Sequence, residues 1–425
     1  MTTDVWAAPL ARGGVHATVR VPGSKSITNR ALVLAALATA PTVVHRPLVS
    51  RDSELMAAAL RALGAGVVQQ ADAWTVQPSP LAGPAEIDVG LAGTVMRFVL
   101  AMAGLADGPV HFDGDPRSRE RPLRPLIDAL RTLGVDIDDG GRSSLPLTVA
   151  GRGGVAGGEV TMDVSASSQL LSALLLAGPR YERGVTVRSS GGRLPGGPFV
   201  RLTAAMLRDR GAVVDSGDDE WRVEPGALRG GEIVVEPDLS SAAPFLVAPL
   251  VAGGTMRISG WPRESLQAGA ATPEVLTAMG GHVAFDGDDL VVSGDGHVVG
   301  IDIDLADNPE LVCVLAAVAA VASTPTRLRG IGHMRGHETD RLAALATELG
   351  GLGARVTEHE DGLAIEPGRL SGGVFHTYDD HRLAMAGAVL GLVVPDLVVE
   401  DIETVGKTYP DFAAQWQAVV AGESD

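Results

Sequence analysis

The chain has 425 residues and a formal net charge of −18, long for a single core and too acidic for a general nucleic-acid binder. A single cysteine, Cys313, excludes an intramolecular disulfide and fits a reducing, cytoplasmic compartment. The longest apolar run, residues 311–322, is too short to span a bilayer, and MTTDVWAAPLARGG lacks the charged head and apolar run of a signal peptide. The expectation is therefore a soluble α/β protein with no membrane or nucleic-acid partner.

In chain order, the stretch VPGSKSITNRALVLAALA (21–38) leads from a strand, ATVRV, into an apolar helix. Lys25, Ser26 and the first-turn amides meet at a helix N-terminus, which is an anion site. Lys25 and Lys407 are the only lysines among 34 lysines and arginines. A compact ammonium is thus kept where a planar guanidinium does not fit. Neither site is a P-loop: Ser24 precedes Lys25, and Asp401 stands where the first glycine ahead of Gly406 and Lys407 would fall.

Amphipathic helices then recur, each stopped by a glycine: Gly64, Gly134, Gly211, Gly280, Gly350 and Gly422, 69 to 77 residues apart. A β-branched strand follows every one but the last. Six copies of one βαβ-rich unit imply two similar halves of three. The N-terminal stretch is expected to supply the strand that the last helix lacks. The halves are expected as residues 18–232, and residues 1–17 plus 233–425, with a ligand cleft between them.

Polar motifs interrupt this pattern. LAGTVMRF (91–98) puts Gly93 and Thr94 before a helix, where Thr94 reads as an N-cap. DGDPRSRERPLRP packs Arg117, Arg119, Arg121 and Arg124 together, and SASSQLLSALLLA offers Ser167, Ser168 and Gln169 at a helix start. RGHETDRL gathers Arg335, His337, Glu338, Asp340 and Arg341, and TYDDHRLAM gives Asp380, His381 and Arg382. His333 and His337 are four apart, but no HExxH frame exists and arginines crowd them, so no metal is expected. No G-x-G-x-x-G follows a strand at the required spacing, which argues against a dinucleotide. Cations and hydroxyls at loop-to-helix junctions in both halves imply a cleft that closes on two small anions. Arginine suits carboxylates, and Glu310 and Glu338 fit proton transfer.

VPGSKSITNRALVLAALA, LAGTVMRF, RERPLRPLIDAL, SASSQLLSALL, GHETDRL, DDHRLAM and GKTYPDF, in this order, resemble the 5-enolpyruvylshikimate-3-phosphate (EPSP) synthase family of enolpyruvyl transferases across essentially the whole chain. The resemblance implies an α/β fold of two similar domains, each of three βαβαββ repeats, with the active site in the interdomain cleft. It implies transfer of the enolpyruvyl group of phosphoenolpyruvate to the 5-hydroxyl of shikimate 3-phosphate, with release of phosphate. That reaction belongs to the shikimate pathway to chorismate and the aromatic amino acids; it needs no cofactor or metal, and glyphosate competes with phosphoenolpyruvate. A monomer is expected.

By the same resemblance, Lys25, Ser26, Arg30, Ser167, Ser168, Gln169, Glu310, His333 and His337 contact shikimate 3-phosphate. Lys25, Gly93, Arg121, Gln169, Arg341, Arg382 and Lys407 hold phosphoenolpyruvate. Lys25 sits between the two anions, Glu310 accepts a proton and Glu338 donates one. The chain departs from the family at Leu91 and His333 (often asparagine), His337 (often lysine), Gly196 (often serine) and Phe199 (often tyrosine or histidine). Arg193 or Arg201 would then compensate, and a serine restored at Gly196 is expected to tighten acceptor binding. The alternative is a paralogue that uses another hydroxylated acceptor.

Overall fold

The protein is described by a computed structural model covering residues 5–70 and 72–423; residues 1–4 and 424–425, the outer ends of the expected C-terminal half, lie outside the described residues. Two compact units form, one from Gly23 to Glu236, the other from the segments ending at Pro22 and beginning at Pro237. The changeovers fall a few residues beyond those read from the sequence, for reasons of strand register. Val15–Val19 pairs along its whole length with Gly254–Ile258, and Gly231–Val234 pairs with Thr42–His45. Each strand therefore holds its end of the chain in its own unit.

The unit of residues 23–236 contains three four-stranded sheets of one layout. In the sheet led by Ala85–Asp88, that strand runs parallel to Asp107–Asp113 after a helical crossover. Leu147–Arg152 and then Asp136–Asp138 extend it antiparallel. The pattern recurs from Gly158–Met162 to Glu220–Val223. It recurs again around Thr42–His45, where the leading strand is borrowed from Gly231–Val234 at the unit's far end.

The second unit repeats the layout with Val15–Val19 as one borrowed leading strand. Its sheet from Asp302 to Glu366 is complete in itself. The third sheet has three strands, with Val5–Ala7 antiparallel to Leu397–Glu400 beside Gly373–Phe375. The N-terminal stretch thus supplies two strands to two different sheets.

Two kinds of helix alternate. Arg124–Thr132 is amphipathic, whereas Lys25–Leu37, Ser168–Ala177, Val312–Ala320 and His381–Gly391 are apolar on nearly every side and almost wholly buried. Burial on all faces leaves the ends of the latter as the places where polar groups meet solvent, and the charged motifs lie at their N-termini. Gly64, Gly134, Gly211, Gly280 and Gly422 take positive φ just after their helices. Gly350 does not: it lies inside the helix Arg341–Leu352, which stops at Gly353 with φ of 115°. The extra turn buries Leu352 beside Leu349. Among the described residues, no helix is long and apolar enough to cross a membrane.

Candidate active site

In the unit of residues 23–236, three helix starts interlock. Asn29 Nδ2 donates to Thr94 Oγ1 at 2.7 Å, and Arg30 Nη2 reaches Ser172 Oγ at 3.4 Å. Arg97 Nη1 donates to Gln169 Oε1 at 2.8 Å. Thr94 is therefore no N-cap. Its backbone is already helical, it makes no capping bond, and its hydroxyl is used by Asn29. Val95–Val99 forms a π-helical turn that continues as a short α-helix, a local widening frequent at functional sites.

Gly93 is the point on which this set converges. A Cβ there would lie 2.7 Å from Arg97 Nη1, 2.8 Å from Gln169 Oε1 and 2.9 Å from Arg121 Nη2. Only a residue without a side chain lets these groups approach. Within the arginine run, Arg117 and Arg119 are half out in solvent and pair with Glu120 and Asp113. Arg121 instead turns inward, is 4% exposed, and donates through Nη1 to the Leu91 carbonyl at 3.0 Å.

Lys25 Nζ lies 3.2 Å from Oδ2 of the buried Asp52. Asp52 is placed by the helix Arg51–Ala62, whose start is fixed by a reciprocal Ser50–Ser53 capping pair. Ser167 Oγ accepts from the Gln169 amide at 3.3 Å and leaves Ser168 at the helix mouth. Arg30 is fully buried. It donates to Thr203 Oγ1 at 2.8 Å, to the Ser26 carbonyl at 3.0 Å and to the Phe199 carbonyl at 3.3 Å. Loss of water around it pulls its pKa down to about 9, which still leaves it charged at neutral pH. Its guanidinium lies 5.2 Å from the Phe98 ring centroid and 5.9 Å from that of Phe199, so it forms the floor of this set.

Gly196, the first departure, has φ of 62° and ψ of 41°, a left-handed conformation ahead of the helix Gly197–Asp209. A Cβ would come 3.1 Å from both Phe199 Cδ2 and Ser168 Oγ. Glycine is thus favoured locally, and a serine there would strain the turn as well as add a hydroxyl.

The other unit carries an alternating set of cations and carboxylates. Arg341, 1% exposed, donates from Nε to Asp380 Oδ2 at 2.7 Å and from Nη2 to Asp380 Oδ1 at 3.1 Å. Its Nη2 also reaches Glu338 Oε2 at 3.2 Å, and Lys407 Nζ donates to Glu338 Oε1 at 2.8 Å. Glu310 Oε2 lies 3.4 Å from Arg382 Nε and 3.8 Å from Arg341 Nη1. Arg382 is tied down from Nη1 to the Ser240 carbonyl at 2.9 Å, and its amide to Asp380 Oδ1 at 2.8 Å.

The electrostatics follow from these contacts. Burial pushes the Glu310 carboxyl up, but Arg382 and Arg341 outweigh it and hold the group below the ordinary carboxylate range. Burial works against the charge on Arg341, yet Asp380 and Glu338 outweigh it and keep the guanidinium firmly protonated. His337 Nδ1 lies 3.9 Å from Glu338 Oε2, and its ring is 5.8 Å from that of His333. Burial pushes His333 down, so it is neutral at neutral pH.

Among the described residues, Arg121 Nε, Arg341 Nη1 and Arg382 Nε are buried arginine atoms that make no hydrogen bond, although Glu310 Oε2 lies within ion-pair range of the last two. Buried donors are rarely left in this state, and charged ones least of all. Planar guanidiniums with unspent donors are suited to carboxylate and phosphate oxygens.

The sequence-predicted residues therefore fall into two sets. Lys25, Ser26, Arg30, Gly93, Arg121, Ser167, Ser168 and Gln169 lie in one unit, and Glu310, His333, His337, Glu338, Arg341, Arg382 and Lys407 in the other. Arg97, Asp52 and Asp380 were not among the predicted site residues. Arg97 is four residues past Gly93, a helical spacing that signals a shared face. Asp380 ends the TYDD turn before an apolar helix, an N-cap signal that hides its pairing with Arg341.

Six small sheets in two units, with charged helix starts in each, match the architecture of solved enolpyruvyl transferases. The fold is similar to an EPSP synthase structure from Acinetobacter baumannii, with a TM-score of 0.79 and 24% identity, covering 100% of this chain and 98% of that one. It is also similar to the enolpyruvyl transferase NikO from Streptomyces tendae, with a TM-score of 0.77 and 19% identity, covering 97% and 96%. The chain belongs to the EPSP synthase (3-phosphoshikimate 1-carboxyvinyltransferase) family, whose model matches residues 11–416. A relative named 3-phosphoshikimate 1-carboxyvinyltransferase, from Kocuria rhizophila, is 51% identical over 433 aligned positions, 99% of this chain and 97% of that protein.

Proposed function

We propose that the protein transfers the enolpyruvyl group of phosphoenolpyruvate to the 5-hydroxyl of shikimate 3-phosphate and releases phosphate, as a step of the shikimate pathway. The observation that carries this reading is the group of buried guanidiniums Arg121, Arg341 and Arg382, each keeping a donor that no protein acceptor hydrogen-bonds. The 51% identity to the named relative supports shikimate 3-phosphate as the acceptor and disfavours another one.

In this reading phosphoenolpyruvate is held by Lys25, Gly93, Arg121, Gln169, Arg341, Arg382 and Lys407, with Arg97 fixing the Gln169 amide. Shikimate 3-phosphate takes Lys25, Ser26, Arg30, Ser167, Ser168, Gln169, Glu310, His333 and His337. Glu338 protonates the methylene carbon, which makes the neighbouring carbon electrophilic. The 5-hydroxyl attacks that carbon as Glu310 takes its proton. The tetrahedral adduct then loses a proton from the new methyl group, expels phosphate and restores the double bond. Fixed cations stabilise the charge on the departing phosphate. Lys407 and Arg341, which ion-pair with Glu338, are also the cations that the anionic substrate claims, so substrate and Glu338 share the same donors.

The buried Cys313 and the lack of any other cysteine fit a cytoplasmic enzyme, and we read it as a monomer, to be checked by light scattering. Phosphate release from phosphoenolpyruvate in the presence of purified shikimate 3-phosphate tests the activity directly. No release above the acceptor-free control would refute it.

A further inference from the structure

Helix Arg341–Leu352 carries a buried acid that the mechanism leaves unused. Glu348 is 6% exposed, two turns beyond Arg341. Its Oε2 accepts from the His376 amide at 2.9 Å and lies 3.2 Å from His376 Nδ1. Its Oε1 accepts from Tyr378 Oη at 2.6 Å. Every one of these partners belongs to the turn between the strand Gly373–Phe375 and the helix His381–Gly391.

That turn is held in an unfavourable shape. Tyr378 and Asp379 have φ of 54° and 56°, two successive left-handed residues that both carry a Cβ. Immediately after them come Asp380, which grips Arg341 from both carboxylate oxygens, and Arg382. The Asp380 amide closes the turn on the Thr377 carbonyl at 2.9 Å. If the turn relaxes toward ordinary backbone angles, the Asp380 carboxylate and the Arg382 guanidinium both shift.

We propose that Glu348 is a positioning residue, a carboxylate clamp that holds the left-handed turn at Tyr378–Asp379 and so fixes Asp380, Arg341 and Arg382 for phosphoenolpyruvate. The choice of ligand rests on the function proposed above; the clamp does not. Glu348 acts from a distance: its contacts set where the binding cations point, and it touches neither reacting group.

Two variants separate this role from mere packing. Glu348→Gln keeps the shape but replaces a charged acceptor with a neutral amide, so the charge-assisted hydrogen bonds from the His376 amide and Tyr378 Oη weaken. Asp379→Gly removes the Cβ from one of the two left-handed positions, so the turn depends less on the clamp. Steady-state kinetics should show Glu348→Gln raising the phosphoenolpyruvate KM by about tenfold or more, with the acceptor KM within about twofold. Adding Asp379→Gly should recover most of that loss, and Asp379→Gly alone should leave both KM values near those of the parent.

Hydrogen exchange of the free protein supplies a readout that needs no turnover. The Arg382 amide should lose protection in Glu348→Gln and regain it in the double variant. Unchanged exchange at Arg382 overturns the proposal, as does an active Glu348→Gln enzyme with an unaltered phosphoenolpyruvate KM. Equal loss of both substrates without rescue by Asp379→Gly also overturns it. A parent that releases no phosphate counts against the proposed reaction, and the exchange result then decides the clamp by itself.

Discussion

Gly93→Ala adds one methyl group where three polar groups already meet. The new carbon would sit 2.7 Å from Arg97 Nη1, 2.8 Å from Gln169 Oε1 and 2.9 Å from Arg121 Nη2. Ordinary carbon contacts need about 3.5 Å, so each group must retreat by roughly 0.7 Å. A shift of that size in either partner stretches the Arg97–Gln169 bond from 2.8 Å toward about 3.5 Å, where little of a hydrogen bond remains. The three nearest atoms all belong to side chains, so the fold itself should survive with a small change in unfolding midpoint.

The loss falls on substrate. A hydrogen bond to a charged group is worth about 1.5 to 3 kcal/mol, which corresponds to roughly one to two decades in affinity. With acceptor saturating, a phosphate-release assay should therefore show the phosphoenolpyruvate KM raised by about 10- to 100-fold. The acceptor KM should rise less, through Gln169 alone. Glyphosate should inhibit the parent and inhibit the variant more weakly. A phosphoenolpyruvate KM unchanged by Gly93→Ala would show that Arg97, Arg121 and Gln169 do not converge on this substrate.

Asp380→Asn leaves the buried Arg341 without its two-point partner and should destabilise the protein by about 3 to 5 kcal/mol, read from urea midpoints. His333 binds protons less readily when folded than when unfolded, so its contribution to stability is lost as pH falls below about 6.5; His333→Asn should flatten the urea midpoint between about pH 5 and 7. Glu310 is shifted downward, so its contribution is complete above about pH 4.3 and lost as pH falls through its lowered value; Glu310→Gln should remove that acid-side loss together with most of the turnover. Gly196→Ser should lower stability by about 1 kcal/mol through its left-handed φ, and a melting temperature no lower than the parent's would refute the strain.

The repeat was legible because its punctuation is local. An amphipathic helix followed by glycine and a β-branched strand needs no knowledge of distant residues. The same locality misplaced one helix end: in the run of Gly350, Gly351 and Gly353, the last is chosen by burial of Leu352, a tertiary effect. Lys25 and Lys407 stand out by composition, whereas Arg121 is one of four clustered arginines and is singled out only by the family resemblance. Asp52 belongs to none of the motifs read from the sequence, and its pairing with Lys25 is brought by the fold. Thr94 reads as a cap, yet Asn29, distant in sequence, takes its hydroxyl. Gly196 reads as a lost serine, and only the structure shows that its backbone is left-handed, a conformation that favours glycine. Each miss concerns a partner brought by the fold rather than by the neighbouring sequence.

The borrowed strands also set an order for assembly on the ribosome. Residues 23–236 contain every strand partner that their three sheets use, including Gly231–Val234 beside Thr42–His45. This unit can finish as soon as its last strand emerges. The strands synthesised first are in the opposite position: Val19 pairs with Ile258, and Val5 with Glu400. The earliest part of the chain must wait, unpaired, through the birth of a whole independent unit before its own partners exist. Such long-range closure is slow and leaves strand edges open meanwhile. The sequence there, VWAAPLARGGVHATVRV, meets that wait with a proline, two arginines and a histidine between short apolar runs, residues that discourage pairing with the wrong chain.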